Sequence, residues 1–165
     1  MNKIRAILLA GATLLLLSLS AILLSAQSAD SPLRFEVTLS SGLSQKLNNQ
    51  AQSGRLFVIL SRNDGGEPRL SAGRTGLDAP PMFARDAAVS VDKAGVIDAS
   101  CVAFPLASLN ELKAGSYSAQ AVLDTNRDLK GLNSPGNLYS KPLRVQLDAR
   151  KSGAVKLQLT EQVPA

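Results

Sequence analysis

Apolar and polar residues alternate one for one along several short stretches of this chain, and that period limits the fold more than any other feature. Leu33, Phe35, Val37 and Leu39 fall on one side of an extended chain, with Arg34, Glu36 and Thr38 on the other. This spacing suits a half-buried β-strand, because successive strand side chains point to opposite faces. Residues 143–147 (Leu-Arg-Val-Gln-Leu) and 155–159 (Val-Lys-Leu-Gln-Leu) repeat the pattern. Leu56-Phe57-Val58-Ile59-Leu60 is apolar throughout, as expected of a central strand covered on both faces. Residues 116–123 supply another strand, and residues 88–91 and 96–97 two short ones around Gly95.

Turn-forming clusters separate these runs: Asn63-Asp64-Gly65-Gly66, residues 78–81, residues 133–137 and Ser152-Gly153. Only two stretches have room for a helix. Residues 42–52 are polar and rich in Gln and Asn, and read as a loop or strand extension. Residues 105–112 read as a short helical segment ahead of Gly115. About seven short strands punctuated by turns predict an all-β chain, a single antiparallel β-sandwich of immunoglobulin-like type. With one Cys and no Trp, the Cys-Trp-Cys core of antibody domains is absent. On this reading residues 27–52 are a leader strand and polar loop. Residues 53–165 are the core, with strand 33–39 packing onto it.

The first 26 residues have a different character. Lys3 and Arg5 precede an apolar stretch over residues 7–24, and small residues follow at Ser25, Ala26, Ser28 and Ala29. That order describes a secretory signal peptide. The apolar stretch of 18 residues also approaches the length that spans a bilayer, so an uncleaved inner-membrane anchor is the competing reading. Either way the expectation is export, to the periplasm or outside the cell. Membrane contact is expected only through this segment, if it is retained.

Setting it aside changes the charge. The formal net of +5 falls to +3 over residues 27–165, with 16 basic residues against 13 acidic ones. The basic residues are dispersed, only Arg150 and Lys151 are adjacent, and aromatics are few. Nucleic-acid binding needs a clustered basic face, often with stacking rings, and is not expected here. The chain contains no His, which excludes Ser-His-Asp and Cys-His nucleophile pairs and His-ligated zinc. The lone Cys101 excludes an intramolecular disulfide, and it reads as a small buried hydrophobe. No catalytic residue is assigned, and the chain is not expected to be an enzyme.

Several segments, in order, carry a resemblance: Gly54 to Arg62, Glu67-Pro68-Arg69, Met82 to Asp86, Gly115 to Asp124 and Ser134 to Ser140. Together they resemble the N-terminal β-sandwich module of secreted bacterial proteins related to enterochelin esterases, where an α/β-hydrolase domain follows. A looser likeness over residues 104–140 is to small exported β-domains of unknown function. The hydrolase would bring a Gly-x-Ser-x-Gly elbow and a His, and this chain has neither. The resemblance therefore implies the accessory module without the enzyme. The function expected is a non-catalytic binding or structural module of the bacterial cell envelope, with a protein or envelope component as partner. The alternative is an accessory module of a separately encoded esterase-like hydrolase.

Two sets of residues are candidate sites. Asp124, Asn126 and Asp128 have the spacing of the first half of a Ca2+-binding EF-hand loop, but Leu129 stands where that loop needs Gly and Pro135 where it needs Glu. A turn in which Asp and Asn bond backbone amides explains the same residues. Arg62, Glu67, Arg69 and Arg85, with Asn137 and Tyr139 of the Pro135-Gly136 turn, are candidates for a partner-docking or ligand loop. The competing readings are a solvated surface for the charges and a purely architectural corner for the turn.

Overall fold

The computed structural model describes residues 30–62, 65–76, 79–126, 128–129 and 131–165. The expected signal or anchor helix, Asn63, Asp64, Asp78 and Arg127 lie outside these residues. Among the described residues, no helix is long and apolar enough to cross a membrane.

The described chain is all-β apart from one six-residue helix and two 3-10 turns. Its strands are β1 (Arg34–Leu39), β2 (Gln52–Ser61), β3 (Met82–Val89), β4 (Gly95–Ile97), β5 (Val102–Phe104), β6 (Gly115–Asp124), β7 (Leu138–Ser140), β8 (Leu143–Leu147) and β9 (Ala154–Gln162). All belong to one sheet in the order β4-β1-β9-β7-β6-β2-β3-β5, with β8 pairing the first half of β6. Pairing is antiparallel except between β1 and β9, which run parallel from Arg34↔Ala154 to Leu39↔Leu159. A wholly antiparallel arrangement is thus corrected at this one junction.

The sheet does not lie flat. β3 and β4 are six steps apart along its order, yet they touch. Gly95 in β4 sits so close to β2 and β3 that a Cβ there would lie 2.7 Å from Leu56 Cδ2 and 2.9 Å from Val89 Cγ1. The sheet therefore rolls over and encloses one core, which takes Phe35, Val37 and Leu39 from β1, Leu56, Val58 and Leu60 from β2, and Leu157 and Leu159 from β9. The period-two pattern supplies these side chains from one face of each strand. The other face of β2 and β6 is covered as well: Ile59, Gln120 and Val122 are fully buried there. A connection containing a 3-10 turn (Pro68–Ser71) packs onto β6 and β2 and buries Pro68. That cover is why the run 56–60 is apolar without a break.

Four local expectations change. Ser41–Lys46 form a helix, α1, where the polar composition suggested a loop or strand extension. Ser40 caps it by accepting from the Leu43 amide at 3.2 Å, Leu43 is buried in the core, and Asn48 and Asn49 (φ 58° and 56°) follow in the left-handed region. The segment 105–112 contains only a 3-10 turn, Leu109–Glu111. The strand read over 88–91 is β3, starting at Met82 and ending at Val89, because Met82 to Val89 pair with β2 in unbroken register. Val102–Phe104 and Leu138–Ser140 are strands that lay inside expected connections. Residues 31–165 make one compact unit.

Candidate functional site

Arg69 holds the centre of a polar cluster on the outer face of the sheet. Its guanidinium pairs with Glu67, donates to Asn133 Oδ1 and lies 3.9 Å from the centre of the Tyr139 ring. Its side chain is only 9% exposed, so these contacts consume it. Its backbone N–H donates to Gln120 Oε1 at 2.9 Å, and Gln120 Nε2 donates to the Ser140 carbonyl at 2.8 Å. A buried amide needs such partners, and here they pin the covering connection to β6 and β7.

Asn137 is fully buried beside this cluster. Its Oδ1 accepts from the amides of Thr125 and Asn126 at 2.9 and 3.1 Å. Its Nδ2 donates to the carbonyls of Gly131 and Leu132 at 3.2 and 3.4 Å. One side chain thus closes both limbs of the loop between β6 and β7. Gly136, with φ 91°, supplies the turn geometry expected at Pro135-Gly136.

In the same loop, Asn126 Oδ1 accepts from the Asp128 amide at 3.1 Å and Asn126 Nδ2 donates to the Pro135 carbonyl at 2.8 Å. These bonds are those of a side chain closing a turn. Asp124 keeps one buried carboxylate oxygen, Oδ1, with no hydrogen-bond partner among the described residues. No group of three or more Cys, Asp and Glu among the described residues is placed to hold a metal ion.

Arg85 lies elsewhere. It shares strand parity with the inward Phe83 and Val89, and it reaches across the roll of the sheet to donate to the Val96 carbonyl of β4 at 3.1 Å. Its other terminal nitrogen meets Ser100 Oγ at 2.5 Å and Asp98 Oδ1 at 3.4 Å. Hydrogen bonds from the Ser100 hydroxyl and amide, helped by the Arg85 charge, hold the Asp98 carboxyl below its ordinary range. Neighbouring Cys101 is buried, and burial pushes its thiol up, away from the reactive thiolate.

Arg62 leads to a groove with room for a ligand. A groove of about 630 Å3 opens where β2 ends, between the connection that reaches Pro80 and Pro81 and the segment from Pro105 to Lys113. Pocket volumes for small molecules run from about 300 to 1,000 Å3. Leu60, Pro81, Leu106 and Leu112 give it apolar walls, and Tyr117 of β6 lies against it. The Tyr117 hydroxyl donates to the Lys113 carbonyl at 2.6 Å and accepts from Arg62 Nη2 at 2.7 Å. The Arg62 guanidinium carbon also lies 4.8 Å from the ring centre, so its position is fixed by both contacts. Arg74 and Lys113 add two more cations, and Glu111 is the one carboxylate among the described lining residues. That carboxylate accepts from the Ala107 amide at 3.1 Å and closes its own loop.

The residues expected in one docking loop are therefore spread over three places. Glu67, Arg69 and Tyr139 meet, with Asn137 fixing the adjacent loop; Arg85 clasps β3 to β4; Arg62 faces the groove. Arg74, Glu111, Lys113 and Tyr117 had not been singled out as a site. No motif marks them: Arg74 lies far along the chain from Glu111, Lys113 and Tyr117, and only Pro80-Pro81 and Pro105 hint at rigid walls. In comparisons with protein-family models, curated proteins and solved structures, nothing matched this chain.

Proposed function

We propose that the chain is an exported, non-catalytic binding module of the bacterial cell envelope, an immunoglobulin-like sandwich that carries its ligand in the groove at the end of β2. The order of residues 1–29, basic then apolar then small, supports export. The return of the sheet upon itself, which brings β4 against β3, supports the sandwich. The resemblance to the module that precedes esterase domains points the same way. The observation that carries the binding function is the groove itself. It is large enough for a small molecule and walled by prolines and leucines. With no His in the chain, neither Ser61 nor Ser71 of its lining has a histidine base to form a Ser-His pair.

The test is a thermal-shift screen of the full chain, recovered from exporting cells, against sugars, short peptides, organic cations and organic anions. At least one class should raise the melting temperature, and Leu106→Trp, which fills the groove, should abolish that rise without lowering the ligand-free melting temperature by more than a few degrees. A screen in which no class binds, or in which every hit survives Leu106→Trp, would sink the proposal.

A further inference from the structure

We infer that the groove selects an amphipathic organic anion, a carboxylate or phosphate head on an apolar body; this rests on the binding-module reading above. Three cations reach the groove from three separate segments: Arg62 after β2, Arg74 after the first 3-10 turn and Lys113 after the second. Local sequence does not bring them together; the fold does.

Their states differ in a way that suits an anion. Arg62 is held in place by Tyr117, whose hydroxyl is itself oriented by the Lys113 carbonyl. A guanidinium fixed before the ligand arrives loses little freedom on binding. The Arg74 guanidinium makes no hydrogen bond or ion pair, and neither does the Lys113 ammonium, among the described residues. Glu111, the carboxylate among the described lining residues, is turned to the Ala107 amide. Among the described lining residues the cations therefore outnumber the carboxylates by two.

The walls select the rest of the ligand. Pro80, Pro81, Pro105 and Leu106 present apolar surface beside the cations. A bare inorganic anion would leave that surface wet, and a neutral apolar molecule would leave the cations without a partner. A molecule with both parts satisfies both. Guanidinium and ammonium groups bind carboxylate and phosphate alike, so either head is the same chemistry here.

Isothermal titration of the full chain at low salt with octanoate, octyl phosphate, octanamide, octylammonium and acetate tests this. Octanoate or octyl phosphate should bind with a Kd of about 1 mM or tighter, at least tenfold tighter than octanamide, octylammonium and acetate. The preference between the first two identifies the head group. The double variant Arg74→Ala/Lys113→Ala should weaken the preferred anion about tenfold, as loss of two charge-assisted contacts implies, and leave octanamide unchanged. Octanamide binding as well as octanoate, or the double variant binding the anion as the parent does, overturns the inference. So does occupancy of the groove by a sugar, peptide or cation from the screen, though the binding-module reading then survives. If no compound of any class enters the groove, both fall.

Discussion

Replacing Asn137 with alanine should unfasten the loop between β6 and β7 and destabilise the whole sheet. The side chain is fully buried and makes four hydrogen bonds, two accepted from the Thr125 and Asn126 amides and two donated to the Gly131 and Leu132 carbonyls. Each buried group left without its partner costs about 1–3 kcal/mol, and each one that water can reach loses only about 0.5–1.5 kcal/mol. The groups around Asn137 are partly exposed, so the lower range applies to some of them. The expected total is about 3 kcal/mol, which for a domain of this size lowers the melting temperature by roughly 10 °C. Asn126→Ala is the control, since it removes two exposed bonds from the same loop and, at the lower end of that range for each, should cost about 1 kcal/mol. Urea unfolding measures the energies. Hydrogen exchange should show the Thr125 and Asn126 amides losing protection in Asn137→Ala and retaining most of it in the control. If Asn137→Ala proves no more costly than Asn126→Ala, the loop is held by something other than this side chain.

Three further outcomes follow from the packing and the charges. Gly95→Ala would place a Cβ 2.7 Å from Leu56 Cδ2 and 2.9 Å from Val89 Cγ1, so it should destabilise by about 1–3 kcal/mol in chemical denaturation; Gly42→Ala, with open space around it in α1, should stabilise by up to about 1 kcal/mol. Tyr117→Phe removes the donor to Lys113 and the acceptor for Arg62, and should cost about 1–2 kcal/mol while weakening any groove ligand that needs Arg62; unchanged affinity and stability together would contradict the role given to the hydroxyl. Ser100→Ala should raise the Asp98 carboxyl toward its ordinary value, because the Ser100 hydroxyl is the leading cause of its depression. A depressed carboxyl stabilises the fold above its unfolded value of about 3.9 and loses that effect as pH falls through the folded value. The melting temperatures of parent and variant should therefore differ most near neutral pH and converge below about pH 4; a gap that does not depend on pH would contradict this.

The strand content was legible because alternation is a local property. Leu33 to Leu39 and Val155 to Leu159 each announced a buried face, and both are strands that feed the core. Their parallel pairing was not legible, since a side-chain period says nothing about which strand lies alongside or in which direction. α1 was hidden by its composition: Ser-Gly-Leu-Ser-Gln-Lys has few strong helix formers and takes its helix from the Ser40 cap and from Leu43 entering the core. The candidate residues illustrate the same limit. Arg69 and Asn137 were visible as polar residues near turns, but whether a polar residue faces water or closes a turn depends on residues such as Gln120 and Thr125, far away along the chain. The groove was the least legible feature, because it is made by segments between Leu60 and Tyr117 that meet only after β2 and β6 have paired.

The parallel junction of β1 with β9 sets an order in time. On one side β1 pairs with the three-residue β4, and on the other with residues 154–159, some 120 positions downstream. A chain delivered N-terminus first, from a ribosome or through a pore, presents β1 long before β9, the strand that pairs along its edge, has emerged. The sheet can be completed only when nearly the whole polypeptide has arrived, and closing so long a separation is slow. Until then that long edge of β1 stands unpaired, an open template for any strand that meets it.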